Sequence, residues 1–556
     1  MKLNTLTFAI ASAILIAGCN SSSSSKDDEQ NPNFGWELGA PIVSNTDKVN
    51  SWFNEAADRI ARIQSDVELS EFTTAGTAKN IILFVGDGMG ISTVTAGRIL
   101  EGQLAGGDGE DHQVIFETFP HTALSKTYNA DAQTPDSAGT MTAMMTGVKN
   151  NQAVLGMDDA VNYNECVDFT NHHLLTALDL AKIAGKSTGV VSTTTITHAT
   201  PAGTYGYTPN RNWEYDTAAD DICIDDLAKQ LINYQYKFEQ GFAGVTTNLP
   251  NGMNVILGGG LDYFTMKDGM FSSGKREDTD LVQVWRDQNE NGAYVTTRDE
   301  LAEVDLSEHD TLLGLFSGDY HEFDLYREAE TDEPSLADMT EAAIKVLQKN
   351  QDEGFFLMVE GGRIDHGHHF GSTKNALYDF MAFTKAIEKA VEMTEGAADE
   401  TLIIVTADHS HTFTLGGQPK RGNRMLDLVH NVNDELAIAA DGMPYTSVHY
   451  ANSINGGKEF EGICLPIIGC IFEPTDGTFD EMGRLHPGTS EQVMADGYLQ
   501  QATVPVYVET HAGEDVGIWA IGPGSEQVRG VLEQNSIFHI MERAGNLIEN
   551  AEKALN

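Results

Sequence analysis

The sequence predicts an α/β protein with a large, central, mainly parallel sheet flanked by helices on both faces and a smaller subdomain inserted at its surface. Three observations carry this reading. Short apolar runs at 79–85, 187–192, 354–359, 401–406 and 516–521 end at polar or glycine-containing loops, as buried parallel strands do. Between them, 174–183, 339–347 and 377–391 repeat apolar residues near the helical period, and strands alternating with helices build a sheet covered on both sides. Several potential metal ligands, Asp87, Glu360, Asp408 and His409, stand directly after strand-like runs, at the edge where open α/β sheets bind ligands.

The rhythm breaks from 421 to 502, where Gly, Asn and Pro interrupt the pattern around two close cysteines, and this stretch is expected to be the inserted surface subdomain. Asp287-Gln288-Asn289-Glu290-Asn291-Gly292 imitates half of a calcium loop. Arg298 stands where a bidentate glutamate is needed, so a polar turn is expected instead.

A chain of 556 residues with 41% hydrophobic and 8% aromatic content can bury a sizeable core and is not disordered. The formal charge of −49 repels nucleic-acid backbones and anionic membranes, which excludes a general DNA or lipid binder. An anionic substrate stays open, because bound metal ions would supply the local cations it needs.

Lys2, an apolar stretch from Leu6 to Ala17 too short to span a bilayer, and Ile16-Ala17-Gly18-Cys19 resemble a bacterial lipoprotein signal. That resemblance implies a signal peptide at 1–18 and lipidation of Cys19, followed by a flexible Ser-rich, acidic tether at 19–45 and a catalytic domain at 46–556. A plain secretory signal cut at Ala17 or Gly18 is the alternative. The expected location is outside the cytoplasm, anchored on the periplasmic or cell-surface side. Oxidising conditions favour disulfides among the four remaining cysteines, and the closeness of Cys464 and Cys470 leaves Cys166 to pair with Cys223.

The chemistry-bearing residues are clustered. Asp365 and His369 lie four residues apart in Asp365-His366-Gly367-His368-His369, which continues Val359-Glu360-Gly361-Gly362-Arg363-Ile364, a spacing that on a helix puts carboxylate and imidazole on one face as two corners of a zinc site. Asp408-His409 follows a strand, with His411 two residues on, and His511 follows the strand-like run 504–508. With Asp87 these suffice for two zinc ions able to clamp an in-line displacement. Ser137, in Pro135-Asp136-Ser137-Ala138-Gly139, opens a helix-tolerant stretch. A serine there is ordinarily a cap, yet the same geometry aims backbone N–H groups at a phosphate.

Taken together, these motifs resemble the alkaline phosphatases, closer to the animal type and related bacterial enzymes than to the enterobacterial type. The match runs from about 79 to 551 and adds Thr197-His198-Ala199-Thr200-Pro201-Ala202-Gly203, Thr406 to His411 and Thr510-His511-Ala512-Gly513-Glu514-Asp515. The resemblance implies an alkaline phosphatase-like fold in which 421–502 is a crown-like subdomain, with a likeness to the family only loosely carried there. It implies a first zinc on Asp365, His369 and His511, a second on Asp87, Asp408, His409 and Ser137, and magnesium on Asp87, Thr200 and Glu360. Arg211 resembles the arginine that grips two phosphate oxygens, with Arg363 and Arg98 as rivals. Asp136, His198, His366 and His411 are expected to support these groups without ligating.

The implied activity is hydrolysis of a broad range of small phosphate monoesters through a phosphoserine on Ser137, by a homodimer that touches membrane only through Cys19. His198 and His366 stand where the enterobacterial type has aspartate and lysine. Ser317 follows Phe316 where the animal enzymes' calcium site needs an acidic ligand, so that site is not expected. Two alternatives are a phosphodiesterase of the same superfamily and a non-catalytic phosphate- or metal-binding surface lipoprotein. Diesterases ordinarily use threonine and sulfatases a Cys/Ser-x-Pro-x-Arg context, and Ser137-Ala138-Gly139-Thr140 fits neither.

Overall fold

The structure is a computed structural model that describes residues 50–66, 78–169, 172–219, 222–234, 252–267, 273–456, 464–465, 469–470, 484 and 486–555. The signal peptide, Cys19 and the tether lie outside the described residues. The strands are β1 (Asn80–Gly86), β2 (His121–Lys126), β3 (Ser187–Thr195), β4 (Val255–Gly259), β5 (Ala293–Val295), β6 (Leu312–Leu315), β7 (Phe355–Gly361) and β8 (Thr401–Ala407). They continue with β9 (Ser410–His411), β10 (Phe413–Leu415), β11 (Val448–Ser453), β12 (Cys464–Leu465), β13 (Gly469–Cys470), β14 (Ala502–Pro505), β15 (His511–Ala512), β16 (Val516–Ile521) and β17 (Gly530–Glu533).

Ten strands form one sheet in the order β17-β2-β16-β8-β1-β7-β3-β4-β6-β5. Every neighbouring pair is parallel except the two that involve β16. The predicted mainly parallel sheet is therefore present. β1, β7 and β8 are buried along their whole length, as strands covered on both faces must be, which is why each reads as an unbroken apolar run. Helices Leu336–Leu347 and Thr373–Thr394 pack over these strands, the first opened by a capping box of Ser335 and Asp338.

Register delivers the reactive groups to one edge. Gly86 is level with Gly361 on β7 and Ala407 on β8, so Asp87 and Asp408 are the next residues out on adjacent strands and Glu360 is one residue inside. Ser192 on β3 stands opposite Glu360. Because β16 runs against its neighbours, its N-terminal end meets this same edge, and His511 enters just before it.

Two expectations shift. The helix expected at 174–183 begins at Ala177, because Thr176 and Asp179 form a capping box that fixes its start. The strand-like run at 504–508 is a strand only in its first half: β14 covers Ala502–Pro505 and joins a separate three-stranded sheet, β10-β11-β14, with Val504 exposed. The calcium-loop imitation is the end of helix Leu281–Gln288 and the turn into β5. The Cys166–Cys223 disulfide is formed. Backbone pairing sets Cys464 opposite Cys470 across β12 and β13, while their side chains lie outside the described residues.

Candidate active site

The helix Ser137–Thr146 is buried over all ten residues, and its N-cap is Asp136, whose carboxylate accepts from the N–H groups of Ala138 and Gly139 at 3.3 Å each. Ser137 is thus the first helical residue and not the cap, which frees its hydroxyl. Ser137 Oγ lies 3.2 Å from His409 Nε2. Asn129 Nδ2 and the Ala153 N–H also donate to Asp136, at 3.0 and 2.9 Å.

Asp136 holds Arg211 as well, through Nη1 at 3.0 Å. Nη2 of Arg211 is 3.1 Å from His198 Nε2, and because a guanidinium only donates, that nitrogen of His198 accepts. Burial, then Arg211, pull the His198 pKa down to about 3, consistent with a neutral ring. The rival arginines are engaged elsewhere. Arg363 stacks 3.7 Å over Phe323 and donates to His366 Nδ1 at 2.8 Å, while Arg98 pairs with Glu117 at 3.6 Å. Tyr320, in the loop after β6, covers His366 with ring centroids 4.4 Å apart.

Among the described residues, three overlapping groups could hold metal ions, each with ligand atoms within 4.8 Å of one another: Asp365, His369, His411 and His511; Asp87, Asp365 and His409; and Asp87, His198 and Glu360. In the first, His369 Nδ1 donates to the carbonyl of Glu509 at 2.5 Å and His511 Nδ1 to that of Pro135 at 2.8 Å. Burial lowers the His369 pKa to about 4, so its Nε2 carries a lone pair. The Nε2 atoms of His369 and His511 nevertheless face each other at 3.1 Å, a contact that a shared cation would relieve. Asp365 Oδ1 lies 3.3 Å from the first and 3.4 Å from the second. Burial alone would raise the Asp365 pKa, but His369 and His411 outweigh it and hold the carboxyl well below its usual range.

The second and third groups are short of positive charge. Both carboxylate oxygens of Asp87 are buried with no hydrogen-bond donor, as are Glu360 Oε1 and Thr200 Oγ1. Burial, then Asp408, Asp365 and Glu360, push the Asp87 carboxyl well above its usual pKa, and burial raises Glu360 and Asp408 too. Glu360 Oε2 accepts from Ser192 and from Thr194, the latter at 3.1 Å. Asp408 Oδ1 accepts the N–H groups of Gly88 at 3.0 Å and His409 at 2.8 Å, and its Oδ2 stands 3.3 Å from His409 Nε2. Uncompensated buried carboxylates of this kind are costly, and nitrogen and oxygen donors at such convergence suit zinc and magnesium. The residues present fit metal ions.

Asp87, Ser137, Arg211, Glu360, Asp365, His369, Asp408, His409 and His511 come together at this edge. His411, expected to be supporting, sits inside the first group with both nitrogens occupied, 2.6 Å from Asp365 Oδ1 and 2.5 Å from Glu509 Oε2. Burial lowers its pKa, but the two carboxylates outweigh that and lift it to about 10. Sequence reasoning missed Glu509, Gln534, Asn129, Thr140, Ser192 and Thr194. Only Glu509 carried a signal, as a carboxylate two residues before His511.

Ligands of these kinds around a buried serine define a metal-dependent hydrolase of anionic esters. The sequence model of the alkaline phosphatases matches residues 78–547, and the chain belongs to that family of phosphoric monoester hydrolases. It is 37% identical to the tissue-nonspecific alkaline phosphatase of Rattus norvegicus over 527 residues, covering 92% of this chain and 91% of the relative. It is 38% identical to the alkaline phosphatase of Gadus morhua over 521 residues, covering 90% and 97%. The fold matches the alkaline phosphatase of Thermus thermophilus at a TM-score of 0.58 and 21% identity, over 86% of this chain and 95% of that one. It also matches that of an Antarctic bacterium at 0.52 and 20%, over 85% and 98%.

Proposed function

We propose that this protein hydrolyses a broad range of phosphate monoesters to alcohol and inorganic phosphate through a phosphoserine on Ser137, at a site for two zinc ions and one magnesium ion. The observation that carries this reading is the position of Ser137 Oγ, 3.2 Å from His409 Nε2 at the start of a buried helix. Asp365, His369 and His511 would hold the first zinc. Asp87, Asp408 and His409, with Ser137, would hold the second. Asp87, Thr200 and Glu360 would hold magnesium. The orphaned oxygens of Asp87, Glu360 and Thr200 support that assignment. When bound, these ions lower hydroxyl pKa values and neutralise charge on phosphoryl oxygens.

Arg211 binds two oxygens of the phosphoryl group, with its planar fork aimed by Asp136 on one side and His198 on the other. The N–H groups at the start of helix Ser137–Thr146 add dipole to the same place. Ser137 Oγ attacks phosphorus in line, forming the serine O–P bond as the ester O–P bond breaks and the alcohol leaves. Water then attacks the phosphoserine, releases inorganic phosphate and restores the hydroxyl. Arg211 keeps its grip through both displacements, so the charge on the equatorial oxygens is met throughout. The named groups all bear on the phosphoryl end, hence the breadth of substrates.

Release of a chromogenic alcohol from its phosphate monoester tests the activity, and acid quenching tests the intermediate. Ser137→Ala is expected to form no covalent phosphoenzyme, and a variant that still accumulates one would overturn the nucleophile assignment. Turnover of diesters in preference to monoesters would instead favour the phosphodiesterase alternative.

The lipoprotein-like signal supports export and anchoring through Cys19 on the periplasmic or cell-surface side, with 1–18 removed, and the family supports a homodimer. Residues 421–502 are proposed as the crown-like insertion, which carries β11, β12 and β13. Among the described residues no helix is long and apolar enough to cross a membrane. Mass spectrometry of the mature N-terminus decides the anchor, since an unmodified Cys19 would dispose of it.

A further inference from the structure

We propose that Glu509 is a positioning residue that sets the geometry of the Asp365, His369 and His511 group. The inference rests on reading that group as a zinc site. It is carried by the way one buried residue reaches all three of the proposed ligands.

Glu509 is 1% exposed, and its carboxylate is fully engaged. Oε1 accepts from the Thr412 N–H at 2.7 Å and from Thr412 Oγ1 at 2.6 Å, while Oε2 faces His411 Nδ1 at 2.5 Å. The other nitrogen of His411 lies 2.6 Å from Asp365 Oδ1, so the imidazole bridges the two carboxylates and fixes where Asp365 points. The backbone of Glu509 clasps His369 in a second way. Its N–H donates to the His369 carbonyl at 3.1 Å, and its own carbonyl accepts from His369 Nδ1 at 2.5 Å, which turns the Nε2 lone pair inward. The third ligand follows two residues later, where β15 pairs His511 directly with His411 of β9.

Side chain and backbone have separable tasks. The backbone clasp on His369 survives any substitution, whereas the hold on Asp365 passes through the carboxylate alone. Glu509→Ala leaves the half-buried Thr412 N–H without its acceptor and frees His411 to rotate. Glu509→Gln keeps the shape and can still accept from Thr412, but it offers His411 Nδ1 an amide N–H. The carboxylate contact to His411 Nδ1 is lost, so the hold on Asp365 weakens without the packing changing. Partners of this kind behind a ligand are worth about 10- to 100-fold in metal affinity.

The experiment titrates zinc from the full-length protein with a competing chelator, resolves both zinc ions, and records the visible absorption of the cobalt-substituted form. His369→Ala and Asp408→Ala identify which ion is which. In Glu509→Ala the ion at the Asp365 group is expected to bind about 10- to 100-fold more weakly, with the ion at the Asp87 group unchanged and the cobalt bands altered. Glu509→Gln is expected to show a smaller loss of the same ion, and it decides the matter if the alanine variant does not fold. Unchanged affinity for both ions with unaltered cobalt bands would overturn the role, and so would equal weakening of both. If His369→Ala leaves the zinc stoichiometry intact, the zinc reading itself fails. If it loses one ion while both Glu509 variants bind as the parent does, only the present inference falls.

Discussion

Two sets of buried charge in this molecule are built on opposite plans. Arg276 is 0% exposed, and its two Nη atoms meet both oxygens of Asp226 at 2.9 Å, while Nε donates to Asp278 at 3.0 Å. Asp226 also caps the helix Leu227–Ile232 by accepting from Lys229 N–H at 3.0 Å. The charges answer one another, and the result fastens the segment around Arg276 to a helix start. At the C-terminal edge of the sheet, Asp87, Asp408 and Glu360 are equally buried, but Asp87 has no donor on either oxygen. Buried charge balanced by the protein's own cations is a fastener. Buried charge left unbalanced is a receptor for cations from outside.

Removing metal ions should break the second set and leave the first untouched. Chelation is expected to lower phosphatase activity by more than about 1,000-fold, with recovery on adding zinc and magnesium back. The unfolding temperature should fall with it, because ligands of the native state contribute about 4 kcal/mol when present at about 1,000 times their dissociation constant. Calorimetry with and without chelator measures this, and an activity indifferent to chelation would erase the distinction between the two sets.

Two arginines sharpen the same contrast. Arg211→Ala removes the grip on phosphate, and about a 100- to 1,000-fold loss in kcat/KM is expected with little change in unfolding. Arg276→Ala leaves Asp226 buried without its cation, so a destabilisation of about 3–5 kcal/mol is expected while the folded fraction keeps its kcat. Steady-state kinetics and urea titration on both variants separate the two. Similar profiles for the two variants would mean that the charges are not divided in this way.

How much of this was legible in sequence follows from what each element depends on. The strands β1, β7, β8 and β16 were readable because burial on both faces leaves an unbroken apolar run with a polar stop, and the candidate ligands Asp87, Glu360, Asp408 and His409 were readable because they occupy those stops. His511 was found by its motif, but the sheet that the run before it joins was not readable. The run before it has a strand's composition, and nothing local says that it pairs with β11 and not with the main sheet. Glu509, though a carboxylate two residues before His511, gave no hint of its partner, and Gln534 was out of reach for a related reason. Their roles are contacts across 98 and 126 residues, to His411 and to the Asp408 carbonyl, which no spacing rule encodes. Ser137 was read as the nucleophile although a serine at a helix start is ordinarily a cap. Its neighbour Asp136 does the capping, a division that only the hydrogen bonds reveal.

A smaller effect comes from packing at the receptor edge. Gly88 follows Asp87 with φ +68°, and a Cβ there would come within 2.4 Å of the His411 ring. Gly88→Ala combines that strain with displacement of His411, and so of Asp365. About a 10- to 100-fold loss of activity is expected, partly restored by excess zinc. Activity measured against zinc concentration checks it, and a variant with parental activity would show that His411 has room to move.

The smallest expected effect lies at the other end of the sheet, where a buried cation has almost no partner. Lys182, in helix Ala177–Ile183, is buried, and among the described residues its Nζ reaches only Asn254 Oδ1, at 3.3 Å, just before β4. Burial lowers its pKa from 10.5 to about 8. Between those two values the unfolded chain binds the proton and the folded chain does not, so stability rises with pH across that window, by up to about 3 kcal/mol. Lys182→Met is expected to flatten this rise and to be the more stable protein below pH 8, where the parent must bury the charge. Asn254 Oδ1 is not orphaned by the change, because it still accepts from the Thr188 N–H at 3.1 Å. Urea unfolding of both proteins on either side of that window reads the difference. If the gap between them does not change with pH, Lys182 stays charged in the fold, and a lone buried cation is tolerated here as unpaired carboxylates are at the site.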